Sequence, residues 1–172
     1  MIIVSDTNIL SSLAAGASLP AFVVLYQRDK LVIPPSVQQE AQAGFARGKA
    51  YLQPVLQAIQ TRQIEVIQLS AEEELLTFKY PSGLNAGERE ALALAQTRKA
   101  VLLSNDRAAQ RYCAQRGMRC YTLADVLRLL WVEQILSPDE VRGVMSRMEQ
   151  VESHAFTAEH LTVIFAPVAT EP

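Results

Sequence analysis

Cysteine is scarce in this chain: Cys113 and Cys120 are the only two in 172 residues. One pair cannot staple a fold of this size, so a disulfide scaffold is excluded and the usage fits a reducing cytoplasm. An excess of either charge is also lacking. Sixteen Lys and Arg against eighteen Asp and Glu leave a net charge of −2, so no global basic field advertises nucleic acid, and any such contact must use a local patch. No apolar run approaches the ~20 residues a membrane helix needs. The stretch ILSSLAAGA (9–17) ends in small residues, as a signal-peptide cleavage site does, but Asp6 interrupts the apolar run and no Lys or Arg precedes Arg28. The charged leader is missing. The expectation is a soluble, cytoplasmic protein with no membrane association.

What is present is a core. Apolar residues make up 49% of the chain, and its length suits one domain better than two. Short apolar runs rich in Val, Ile and Leu occur at MIIVS (1–5), KLVIP (30–34), IEVIQL (64–69), AVLLS (100–104) and MRCYT (118–122). They do not alternate cleanly, which suggests strands buried on both faces. Helical patterns lie between them: one opened by Pro34 and Pro35 and ending near Gly48, then 50–61, 71–78, 86–98, and another after Asp106. Alternating strand and helix predicts an α/β fold, three-layer α/β/α with a central, mostly parallel sheet, plus C-terminal helices. Two further helices are expected at 122–136 and 137–151. The second carries an apolar stripe of Val141, Val144, Met145, Met148 and Val151, suited to packing on the domain or to a partner. The tail LTVIFAPV (161–168) reads as an edge strand, a packed arm or a partner-binding segment.

Four carboxylates stand where such a sheet gathers its ligands. Asp6 follows the first strand in VSDTN, and Asp106 follows another in LLSND. Glu40 lies in the helix after LVIP, and Glu88 opens the helix that leads into LLSND. Ligands of open parallel sheets collect at the carboxyl ends of strands. Taken singly, an Asp after a strand, as at Asp6 or Asp106, is usually a helix cap. Asn85 and Glu88 in particular form a capping box. Together they predict an acidic pocket that needs cations, and hard oxygen ligands select Mg²⁺ or Mn²⁺. Glu88 and Glu90 are two apart on a helix, so only one of them can face the site. The expectation is Glu88, with Glu90 left to solvent or a salt bridge.

These motifs resemble the PIN-domain ribonucleases, a family that includes VapC-like toxin ribonucleases. The likeness rests on VSDTN, on PSVQQE, on GEREALALA, and on LLSND with Asp106 eighteen positions after Glu88. It covers roughly residues 1–125, a PIN-like nuclease domain, and leaves 126–172 as a helical extension and tail packing on the same domain. The resemblance implies an endoribonuclease dependent on Mg²⁺ or Mn²⁺, often the toxin of a bacterial toxin–antitoxin pair. Its partners would be an RNA substrate, an antitoxin protein and a second copy in a homodimer. Catalytic and metal-binding roles would fall to Asp6, Glu40, Glu88 and Asp106, with Thr7, Asn8 and Ser104 in support. The chain departs from the toxin pattern in having Glu at 88, where toxins more often have Asp, and in its helices after 122.

Phosphate contacts need cations. Arg98, Lys99, Arg107, Arg111, Arg116 and Arg119 form a basic run broken only by Asp106. Arg107 and Arg111 share a helix face and are the expected RNA-binding pair. Rival readings are weaker. A phosphatase or receiver domain built on Asp6 would want a second Asp at position 8, where Asn8 stands, and a late Lys, which is missing after Lys99. Ser5 and Ser104 have no partner His in the pattern. His154 and His160 match no zinc spacing. A catalytically silent nucleic-acid-binding or regulatory module of the same fold stays open as the alternative.

Overall fold

In a computed structural model, which describes residues 1–153 and 155–167, five strands form one sheet in which every pairing is parallel. The strands are β1 (Ile2–Ser5), β2 (Lys30–Ile33), β3 (Glu65–Val66), β4 (Val101–Leu103) and β5 (Cys120–Tyr121), in the order β3-β2-β1-β4-β5. Ten α-helices among the described residues cover them: α1 (Thr7–Ala15), α2 (Leu19–Leu25), α3 (Pro35–Ala46), α4 (Gln53–Gln60), α5 (Ala71–Thr77), α6 (Ala86–Thr97), α7 (Arg107–Gln115), α8 (Leu123–Val132), α9 (Pro138–Glu152) and α10 (Ala158–Ile164). The expected three-layer α/β/α class is what the chain adopts. The edge strands β3 and β5 are shorter than their apolar runs suggested. The sequence pattern also gave no warning of α1 and α2.

The three central strands, β1, β2 and β4, are buried on both faces because their alternate residues feed two cores. Ile3, Leu31, Ile33, Val101 and Leu103 join one cluster with α1, α2, α4 and α8–α10. Val4, Val32 and Leu102 join the other, with the Ala91–Ala95 segment of α6 and with Ala109 and Cys113 of α7. That double burial is why the runs read as continuously apolar rather than alternating.

The C-terminal helices share the first core. Val141, Val144, Met145 and Met148 of the α9 stripe are buried there, whereas Val151 is exposed. The 161–168 run is helical through Ile164 rather than a strand, with Val168 outside the described residues. The end of α10 is pinned to α8, where the Trp131 indole donates to the Ile164 carbonyl (2.6 Å) and Arg128 donates to that of Ala166 (2.5 Å). Within the described residues no helix is long and apolar enough to cross a membrane.

The strand order fixes where a ligand can sit. From β1 the chain builds outward to β2 and β3, then returns to lay β4 and β5 on the other side. The direction therefore reverses between β1 and β4, and the crevice at their carboxyl ends is the natural binding place of such a sheet. The Asp6 N–H donates to the Leu103 carbonyl (3.1 Å), which ties the two strand ends together at that point.

Candidate functional site

Asp6 and Asp106 both perform the modest task that either would have performed alone. Each is the extended residue before a helix, and each carboxylate accepts from the first turn. Asp6 Oδ1 accepts from the Ile9 N–H (2.9 Å). Asp106 Oδ1 accepts from Ala108 (2.7 Å) and Ala109 (2.8 Å). The caps use one oxygen apiece. Asp6 Oδ2 is buried with no hydrogen-bond partner.

Glu88 caps and faces the crevice at once. Its N–H donates to Asn85 Oδ1 (2.8 Å), and its Oε2 accepts from the Asn85 N–H (2.9 Å), completing the box. The other oxygen, Oε1, accepts from Asn8 Nδ2 (3.4 Å) at the start of α1. Glu40 reaches the same helix start from α3. Its Oε1 accepts from the Gly87 N–H (3.3 Å), and Thr7 Oγ1 donates to Oε2. A Cβ at Gly87 would lie 3.0 Å from Glu40 Oε1 and 3.1 Å from Val37, so glycine is what lets this carboxylate approach. Ser104 accepts from the Asp106 N–H (3.1 Å) and steadies the turn out of β4.

The electrostatics join these groups. Burial pushes the Asp6 carboxyl up to about 7, although the Ile9 amide and the nearby Ser104 hydroxyl pull it down, and the Glu88 charge raises it further. Burial also raises Glu88, with Asp106 and Glu40 adding to the rise against the Asn85 amide. Glu88 thus feels all three other acids or is felt by them. Among the described residues no Lys or Arg forms a salt bridge to any of the four. Nor do any three His, Cys, Asp or Glu there stand close enough to make a ready-formed metal cage.

Glu88 and Asp106 open into a cleft of about 700 Å³ that is also lined by the end of α9. Glu152, the last residue of α9, is held there by three hydroxyls. Ser11 Oγ and Tyr51 (3.1 Å) donate to its Oε1, and Ser12 Oγ (2.9 Å) donates to its Oε2. Lys49 lines the same cleft. Sequence reasoning found none of these. A signal existed in Ser11 and Ser12, which stand four after Thr7 and Asn8 and so continue their helix face.

Other expectations need correction. Glu90 neither faces solvent nor pairs with a cation: its carboxylate caps α3, accepting from the Ser36 N–H (3.0 Å) and Oγ (2.6 Å). The basic run is not one patch. Arg98 is committed to Glu73 (2.8 Å). Lys99, Arg116 and Arg119 line a cavity at the amino ends of β4 and β5, opposite the acids. Arg107 alone of the run borders the site region, and Arg111 is exposed one turn further along α7. His160 is a capping residue, its Nδ1 accepting from the Thr157 N–H (3.2 Å). His154 lies outside the described residues.

Residues 2–164 match a family model described as DUF3368: PIN domain, nearly the whole chain and well past the 1–125 span of the motifs. Among solved structures, the chain is similar to VapBC2 from Rickettsia felis, crystallised bound to a DNA fragment from their promoter. The TM-score is 0.55 at 17% identity, over 71% of this chain and 98% of that one, which is a likeness of fold. No curated protein matches.

Proposed function

We propose that this chain, which belongs to the PIN-domain family, whose members are generally nucleases, is an endoribonuclease that hydrolyses RNA phosphodiester bonds with Mg²⁺ or Mn²⁺. One observation carries the reading: Asp6 Oδ2 is buried without a partner among carboxylates that no described cation neutralises. A buried charge left unpaired is costly, and a fold retains it where something binds. The donor set is all oxygen, which fits a hard divalent ion.

On this reading Asp6, Glu88 and Asp106 hold the metal, and Glu40 completes the negative field from α3. Thr7 orients Glu40, Asn8 orients Glu88, and Ser104 sets the turn that presents Asp106. A divalent cation bound there would activate water and stabilise the leaving oxygen. Arg107, with Arg111 behind it, supplies phosphate contacts. A toxin role with an antitoxin partner and a homodimeric state extends the reading. It is supported by the resemblance of the motifs and by the fold shared with VapBC2.

The test is cleavage of a panel of single-stranded and hairpin RNAs with Mg²⁺ or Mn²⁺. Glu88→Gln keeps the capping box, so its stability should change by no more than the ~1 kcal/mol of one cap, while cleavage disappears. A second reading, a silent RNA-binding module, is favoured by the lack of a preformed cage among the described residues. It predicts metal-independent RNA binding by wild type and Glu88→Gln alike, with no cleavage by either.

A further inference from the structure

Three cations of the basic run have no task in the acidic cleft. Lys99, Arg116 and Arg119 line one cavity of about 580 Å³, approached from the end of α6, the end of α7 and the start of β5. None of the lining residues is Asp or Glu. Among the described residues, none of the three cations forms a salt bridge. Asp29 and Glu65, at the amino ends of β2 and β3, are taken by the Met1 amino group (2.9 Å) and by Lys30 (2.9 Å), and Glu73 is taken by Arg98 (2.8 Å). Cations are welcome where helices end, and α6 and α7 both end here. Those ends, however, are closed from within. The Leu94 and Ala95 carbonyls accept from the N–H groups of Arg98 (3.1 Å) and Ala100 (2.9 Å), and the Cys113 carbonyl accepts from Arg116 (3.0 Å) and Met118 (2.9 Å).

The remaining polar group of the cavity is oriented to donate. Gln96 Oε1 accepts from the hydroxyls of both Tyr80 (3.2 Å) and Tyr112 (2.9 Å), so its amino group is what it has left to offer. The Tyr112 ring also carries the Arg116 guanidinium, 3.7 Å from its centroid, and meets Tyr80 edge to face. Arg119 gives one N–H to Met1 Sδ (3.2 Å) and keeps its other donors. Donors drawn from three elements, with no opposing carboxylate, match an oxyanion. A planar carboxylate is met by two parallel bonds from one guanidinium, whereas a tetrahedral phosphate group takes donors from several sides. We propose that this cavity is a phosphate-binding site, separate from the acidic cleft, which takes the phosphate groups of a free nucleotide or of an RNA strand. Arg116 and Arg119 grip the phosphate from the ends of α7 and β5, and Lys99 and the Gln96 amide close on it from α6. The cations stand at the amino ends of the strands and the acids at the carboxyl ends, so this site does not depend on the nuclease reading.

The test is calorimetric titration of the full chain with pyrophosphate and, separately, with a short single-stranded oligoribonucleotide, in EDTA at low salt. The chelator keeps divalent ions out of the acidic cleft, so neither metal-bridged phosphate nor cleavage interferes. Arg116→Gln should weaken binding about tenfold, the scale of one hydrogen bond to a charged group. Arg62→Gln, the same loss of charge beside β3 at the far side of the sheet, should leave it unchanged. Gln96→Glu keeps an acceptor for both tyrosines and puts a negative charge in the cavity, so binding should be lost. Should Arg116→Gln not fold, Lys99→Gln carries the same comparison. Pyrophosphate binding that responds to these variants assigns the site to free phosphate compounds, and a response of the oligoribonucleotide alone assigns it to the strand. Either result supports the site. No binding of either probe, equal affinity in wild type and Arg116→Gln for both, or an equal loss in Arg62→Gln would overturn it. So would a poly-glutamate peptide that competes as well as pyrophosphate, because the cavity would then serve carboxylates.

Discussion

Glu73 and Asp6 are two buried carboxylates in one small fold, and they are treated oppositely. Glu73, at the start of α5, is gripped by Arg98 at Nε (2.8 Å) and Nη2 (3.0 Å), takes the Thr97 hydroxyl (2.6 Å), and caps Ser70 (2.8 Å). The Arg98 guanidinium, with Thr97 and Ser70 helping against burial, holds its carboxyl down at about 2. Asp6 is as deeply buried and has no cation; burial holds it up at about 7. The chain can neutralise a buried acid with its own residues and does so beside α5. At the switch point it leaves the acids unneutralised. On the proposed reading, that difference separates an acid that holds the fold together from one that waits for a ligand.

The largest expected effect is at the unpaired acid. Asp6→Asn retains an oxygen for the α1 cap, so the protein should fold, yet RNA cleavage should fall by about two orders of magnitude or more. Because the folded pKa of Asp6 lies above its ordinary 3.8, its contribution to stability is full below about pH 4 and is lost as pH rises through about 7. Metal-free Asp6→Asn should therefore melt several degrees higher than wild type at pH 8 and converge with it near pH 4. A variant that melts lower at pH 8 would make Asp6 a structural acid like Glu73.

Glu73→Gln comes next. It should lower stability by about 2 kcal/mol, the scale of a charge-assisted bond lost from a half-exposed partner, and leave cleavage unchanged. Its pH dependence has the opposite sign. The folded pKa lies below 4.5, so the stabilisation is present above that value and fades as pH falls through about 2. Acid melts of the two variants should cross. Curves that run parallel would erase the distinction drawn here.

The smallest effect tests an acid between the two. Glu90→Ala removes the cap on α3, the helix that carries Glu40, and should cost about 1 kcal/mol with only a few-fold loss of cleavage. A collapse of activity equal to that of Asp6→Asn would move Glu90 into the site itself.

What the sequence disclosed was local. Asp6 and Asp106 could be found because an apolar run ends and a capping residue follows, and Asn85 with Glu88 because a capping box spans four residues. Helix α1 was missed because it is buried nearly all round, from Ile9 to Ala15, and so shows no helical period in its polarity. Glu152 and Glu90 were missed or misplaced because their partners are far along the chain. Ser12 is 140 residues from Glu152, and Ser36 is 54 from Glu90. The basic run misled for a topological reason: β4 crosses the sheet between Lys99 and Arg107 and delivers them to opposite edges.

The central claim, that the unneutralised acids are built for a divalent cation, is tested most directly by calorimetric titration of Mn²⁺ into the metal-free protein near pH 7. Repeating it in buffers of different ionisation enthalpy counts the protons released. Asp6 titrates at about 7, so a metal that binds it must displace a substantial fraction of a proton. The account predicts saturable binding whose heat depends on the buffer, with both binding and proton release lost in Asp6→Asn and retained in Glu73→Gln. No saturable binding, or binding that Asp6→Asn leaves intact, would contradict it.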